Sequence, residues 1–171
     1  MADWEKTIVP LDDAHEVLGT FGIGPYNKAY ERWRREDGFR WVDLEDVLDE
    51  SPLILNVDWR EWLQDALETV RGQLDSLGIA LDSDLGDEGN EGHVEIDGAR
   101  ETIKYIPADE DNFDDVVRSI NRLIKEKAQY RKFRSCEGSD GWRYGVLAIQ
   151  DWKALESSAP NTLNLLFFPG S

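Results

Sequence analysis

The sequence predicts an α+β protein: a mainly antiparallel sheet of about five or six strands, with two long helices packed on one face and short helices at the N-terminus. Three observations predict it. Residues 58–78 and 108–128 each carry apolar side chains at helical spacing over more than three turns. The stretch "HVEIDGARETIKYI" splits into two alternating halves around an Asp-Gly dipeptide. Short apolar runs bounded by glycine or proline recur in the remainder of the chain. A length of 171 residues suits one domain, 1–171, with no internal repeat or obvious linker.

Taken in order, Leu11 to Phe21 and Tyr26 to Arg35 read as short helices separated by "GTFGIGPY". "WVDLEDVLDESP" is a third, closed by Pro52, and "LILNV" is a buried strand. Asp58 with Glu61 three residues on gives a capping-box arrangement for the first long helix. Its stripe is Leu63, Ala66, Leu67, Val70, Leu74 and Leu77, and Gly78 supplies the stop. A two-residue turn in the hairpin places Val94, Ile96, Ala99, Ile103 and Tyr105 on one face and sets Glu95 opposite Arg100. The second long helix carries Phe113, Val116, Val117, Ile120, Leu123 and Ile124 on its buried stripe, with acids at its start and bases toward its end, as the helix dipole favours. Strands are expected at Tyr130 to Ser135, Trp142 to Ile149 and "TLNLLFF", with a short helix at Asp151 to Glu156.

The charge pattern narrows the function. A formal net charge of -17, from 36 acids against 19 Lys plus Arg, repels nucleic acid and anionic membranes, so the expected partner is a basic protein. The opening "MADWEKTIVPLDD" lacks the blocks of a signal peptide, no apolar run approaches a membrane span, and the single cysteine suits a reducing compartment, so the expected location is the cytoplasm.

The stretch "DSDLGDEGNEGHVEIDG" looks at first like a calcium loop. With Asp82 and Asp84 at positions 1 and 3 of an EF-hand, Asp87 would stand at the glycine position and His93 where a bidentate Glu is needed, so the motif fails. No metal or other cofactor is expected. What sets the stretch apart is that no Lys or Arg balances its acids, while a second acidic group opens the helix that follows the hairpin. The candidate partner-binding residues are therefore Asp82, Asp84, Asp87, Glu88 and Glu91, with Asp109, Glu110 and Asp111 on the same negative face. Trp33 and Trp41, beside arginines, are the candidate aromatic anchors, and Trp59, Trp62, Trp142 and Trp152 are assigned to the core. The basic residues of "ERWRRE" and of Arg118 to Arg134 read as internal salt-bridge partners in an over-acidic protein.

A catalytic set is not apparent. His15 and His93 lie on polar segments, Cys136 has no flanking motif, and "GTFGIGPY" lacks the spacing of a phosphate cradle. The chain is therefore read as a binding protein. With its acidic, tryptophan-rich composition and a closing pattern of "YRKFRSCEGSDGWRYGVLAIQDWKAL" and "TLNLLFFPG", it resembles the immunity proteins that bacteria encode beside polymorphic or contact-dependent toxins. The resemblance implies stoichiometric inhibition of a toxin's catalytic domain by covering its active site. The alternatives are an acidic DNA-mimic regulator of a host DNA-binding protein, a small enzyme using Cys136 with His15 or His93, and a calcium-binding module.

Overall fold

A computed structural model describes residues 9–24, 26–35, 41–108 and 111–170. These form the helices α1 (Leu11–Thr20), α2 (Lys28–Arg35), α3 (Trp41–Leu48), α4 (Leu63–Ser76), α5 (Phe113–Ile124), α6 (Ile149–Ser158) and α7 (Pro160–Leu166). The strands are β1 (Ile54–Asp58), β2 (Asp82–Leu85), β3 (Glu91–Ile96), β4 (Ala99–Lys104), β5 (Ala128–Lys132) and β6 (Gly141–Ala148). The fold is α+β, and its six strands divide into two antiparallel three-stranded sheets, ordered β1-β6-β5 and β2-β3-β4, where the sequence led us to expect one.

The first sheet is the wall between two hydrophobic cores. Alternation along its strands sends Leu55, Val57, Tyr130, Tyr144 and Val146 to one face and Ile54 and Leu147 to the other. On the first face α4, α5 and the inner side of β2-β3-β4 close a core with Leu67, Val70, Val94, Ile103 and Phe113. The two long helices therefore share one face of this sheet. On the second face α1, α2, α3, α6 and α7 bury Val17, Leu18, Trp33, Leu44, Trp152 and Leu166. The central strand β6 passes close beneath this second core. A Cβ at Gly145 would stand 2.9 Å from ring atoms of both Phe21 and Phe167, which stack with centroids 5.8 Å apart.

Local chemistry explains most boundaries. Asp97 and Gly98 both have positive φ, 52° and 79°, the backbone of a type I′ turn, and the strands leave it with Ile96 opposite Ala99 and Glu95 opposite Arg100. Gly78 takes φ 74° after α4, and the Ile79 amide reaches back to the Leu74 carbonyl at 2.9 Å. Asn112 caps α5, its side chain accepting from the Asp114 amide at 2.9 Å.

Three expectations are corrected. Asp58 and Glu61 do form the anticipated bond, Glu61 Oε2 accepting from the Asp58 amide at 3.2 Å, but they close a turn ahead of the helix, and α4 begins at Leu63. "TLNLLFF" is mainly helix: Pro160 fits the first turn of α7, where its missing N–H is no loss, and only Phe167 makes a bridge, to Phe133. The strand expected to run to Ser135 ends at Lys132, with a 3₁₀ turn at Arg134–Cys136.

A buried ion pair joins α3 to β6. Arg143 donates to Glu45 Oε2 at 2.9 Å and to the Glu45 carbonyl at 2.6 Å, pairs also with Asp49, and lies over the Phe133 ring at 4.5 Å. Ser135 Oγ donates to the same carboxylate oxygen at 2.6 Å, while Glu45 Oε1 is buried without a hydrogen bond. Burial outweighs these partners and pushes the Glu45 carboxyl up to about 7. A carboxyl raised above its ordinary 4.5 favours the folded state fully below that pH, and the benefit is lost as pH rises to about 7. The difference in unfolding free energy between the native protein and Glu45→Gln is therefore expected to fall by on the order of 3 kcal/mol between pH 4.5 and 7 and to level off above, as measured by urea denaturation along a pH series.

Candidate functional site

The β2-β3-β4 sheet turns one face to the core and one to solvent. With Val94, Ile96 and Ile103 inward, the register sends Asp82 and Asp84 of β2 and Glu91, His93 and Glu95 of β3 outward. Asp87 and Glu88 are exposed in the turn between β2 and β3. The sequence reading assigned no strand to this stretch; its first half is one because Asp82 and Asp84 alternate with Ser83 and Leu85, and Leu85 packs against the core. Between β2 and α4 lies a groove of about 420 Å³ lined by Gln64, Glu68, Arg71, Asp84, Asp87 and Glu88. Arg71 closes its base by donating to the Leu81 carbonyl at 3.2 Å and to Ser83 Oγ at 2.8 Å. Gly92 is required for the pairing here, because a Cβ on it would collide with the Asp84 carbonyl and the Leu85 backbone.

Of the second acidic group, Asp111 comes to the same end of this sheet. Because β3 starts where β4 finishes, Glu91 lies opposite Lys104, and the Tyr105 amide donates to the Asn90 carbonyl at 2.9 Å. The chain after β4 therefore begins beside the β2–β3 turn. Asp111 is part of this segment, and its Oδ2 accepts from the Ile106 amide at 3.0 Å. Asp109 and Glu110 lie outside the described residues. Within α5 the acids have internal work: Asp114 accepts from Tyr144 Oη at 2.5 Å and pairs with Lys132 at 2.7 Å, and Asp115 pairs with Arg118 at 2.6 Å.

Most described basic side chains near the sheet are similarly committed. Arg100 pairs with Glu95, Arg122 with Glu101, Lys127 with Asp97 and Arg131 with Glu156, at 3.1, 2.7, 2.5 and 2.6 Å. Arg122 holds the Glu101 carboxyl below its ordinary range. Among the described residues, Asp82, Asp84, Asp87, Glu88 and Glu91 make no such ion pair.

Of the two candidate aromatic anchors, Trp33 is buried and Trp41 is partly exposed. Trp33 is 2 % exposed and packs in the second core with Tyr30 one turn away, while Arg32, Arg34 and Arg35 occupy the outer side of α2. Trp41 is half-buried against the same core. Trp59 and Trp62, assigned to the core, are instead 37 % and 53 % exposed. They sit on the β1–α4 connector, "DWREWLQD", where indoles and carboxylates alternate along the chain. Had the helix begun at its capping box, both would have continued its apolar stripe; because it begins at Leu63, they are released to the surface.

The remaining candidates are dispersed. His15 contacts Tyr30 Oη and the edge of Trp33, whereas His93 is on the open sheet face within 3.3 Å of Thr102 Oγ1. Cys136 follows Phe133 in the 3₁₀ turn, with Glu45, Arg143, Ser135 and Lys132 acting on it, and burial pushes its thiol up, opposite to the shift of an activated nucleophile. Among the described residues, no group of three or more His, Cys, Asp or Glu is placed to hold a metal ion, and no described helix is long and apolar enough to cross a membrane. Comparison of the chain with protein-family models, curated proteins and solved structures gives no match.

Proposed function

We propose that this protein binds and neutralises a basic protein partner, as an immunity-type inhibitor whose acidic sheet end covers the positively charged substrate cleft of a toxin domain. The observation that carries this reading is the contrast in charge use. Carboxylates elsewhere on the sheet and on α5 form ion pairs with Arg or Lys, whereas the five from Asp82 to Glu91, along β2, its turn and the start of β3, project into solvent without one among the described residues. Unmatched like charges repel one another, and a cationic partner removes that cost while its approach is accelerated by the field. In such a complex these carboxylates stand where substrate phosphates would.

Two measurements test the reading. Capture from nuclease-treated lysate of the source cells, over a salt series, is expected to yield one basic protein near equal stoichiometry that salt releases. Recovery of a host DNA-binding protein would instead assign the same face to DNA mimicry, and no partner at any salt would overturn the proposal. With that partner in hand, Asp84→Asn, Asp87→Asn, Glu88→Gln and Glu91→Gln together are expected to slow association at low salt by roughly tenfold or more and to flatten its salt dependence, read by stopped flow. The four positions are exposed, so stability should change by no more than about 0.5 kcal/mol per substitution.

A further inference from the structure

Resting on that reading, we infer that the β1–α4 connector is an arginine-recognition element: Trp59 and Trp62 supply indole surface and the carboxylates on either side supply charge, so that the partner segment docked here is one bearing arginine rather than lysine. Three features carry this. The first is exposure without looseness. Large aromatics left in water forgo the burial that usually holds them inside, yet this connector is fixed from several directions. Asp58 Oδ1 accepts from the Arg60 amide at 2.9 Å, the Glu61 amide donates to the Asp58 carbonyl at 2.9 Å, and Glu61 Oε2 returns to the Asp58 amide. From across the fold, the Ala108 amide donates to the Trp59 carbonyl at 2.8 Å, and Tyr105 Oη reaches the same oxygen at 3.4 Å. The backbone carrying both indoles is therefore set before a partner arrives, which lowers the ordering cost of binding.

The second feature is position. Ala108 leads to the Asp111 segment on one side of the connector; on the other, Gln64, two residues beyond Trp62, abuts Gly89 of the acidic turn. Burial raises the Tyr105 hydroxyl, and the charges of Glu61 and Asp58 in the connector and of Asp111 add to it. The tryptophans thus lie between the Asp111 segment and the acidic β2–β3 turn.

The third feature is the cation already present. Arg60 holds its guanidinium carbon 4.5 Å from the centre of the Trp59 ring, so this indole already has a guanidinium over its face. A planar guanidinium stacks on an indole and pairs with a carboxylate at once; an ammonium matches the charge but not the plane. A net charge of -17 makes a second copy of this chain a poor occupant.

Fluorescently labelled octa-arginine and octa-lysine, titrated against the full-length protein at matched ionic strength, separate stacking from charge. The native protein is expected to bind octa-arginine about tenfold more tightly than octa-lysine. Trp59→Ala with Trp62→Ala is expected to abolish that preference while keeping the salt dependence and the thermal transition. The fourfold amide variant of Asp84, Asp87, Glu88 and Glu91 is expected to do the reverse. Equal affinity of the native protein for both peptides, or a preference that survives loss of both tryptophans, overturns the arginine assignment and leaves the basic-partner reading standing. Binding of neither peptide overturns both. A dimer in sedimentation equilibrium that the tryptophan variant dissociates would assign the surface to self-association instead.

Discussion

At about pH 8.5, where Glu45 is ionised, replacing Arg143 by alanine is expected to cost about 3–5 kcal/mol of stability, the usual range when one member of a buried ion pair is removed. The side chains of Arg143 and Glu45 are 14 % and 5 % exposed, so water does not take over the lost contacts. The guanidinium also satisfies the Glu45 carbonyl, pairs with Asp49 and covers Phe133; its removal strands a carboxylate and a carbonyl and opens space over the ring. For a chain of this size, a loss of that magnitude lowers the melting temperature by roughly 6–20 °C. Exposed pairs such as Arg118 with Asp115 contribute about 0–1 kcal/mol, and their loss should be nearly silent in the same assay. Replacing both partners, as Glu45→Leu with Arg143→Met, should recover much of the loss, because two apolar groups leave no charge to desolvate. A loss below about 1 kcal/mol for Arg143→Ala would show that water reaches Glu45.

Gly145→Ala, the addition of a single methyl group, is expected to cost about 1–3 kcal/mol. Ring atoms of Phe21 and Phe167 stand 2.9 Å from the new carbon, nearer than real Cβ contacts come, and both rings are already held edge-on by Trp152 at 5.9 and 5.2 Å. Gly145 pairs with Ile54 on one side and Arg131 on the other, so the strand cannot retreat without loosening both ladders. The test is a double-mutant cycle with Phe21→Leu. A smaller side chain at 21 makes room for the methyl, so the two substitutions together should cost less than the sum of their separate effects, by at least about 0.5 kcal/mol. Strict additivity would mean that the strain is absorbed elsewhere.

These expectations also show what local sequence reveals. The stripes of α4 and α5, the Asp-Gly turn and the Glu95–Arg100 register depend on neighbours within a few residues, and each was legible. The acidic turn was equally visible, because the absence of Lys and Arg from Asp82 to Asp97 is a property of the string itself. What escaped depends on distant parts of the chain. The division into two sheets is decided by β6 pairing with β1 and β5, a choice that no strand records internally. "TLNLLFF" has too short an apolar run for period to discriminate, and Pro160 just ahead of it was the available helix signal. Trp33 was misplaced by its arginine neighbours, although Tyr30 three residues earlier puts an apolar pair on one side of a helix. Trp59 and Trp62 are turned out by a helix start delayed to Leu63 and by bonds from Tyr105 and Ala108, some 46 residues away in the case of Tyr105.

The separation of the acidic end from both cores bears on how such a chain can diverge. Asp82, Asp84, Asp87, Glu88 and Glu91 fill no interior space, so the residue types at these positions can change with little penalty to folding. A protein built in this way can follow a changing partner by exchanging surface side chains while Leu55, Val70 and Ile120 stay as they are. Gly92 marks the limit of that freedom, since even one added carbon there meets backbone. Rapid variation at the acidic positions and a fixed Gly92 would then be two products of the same geometry.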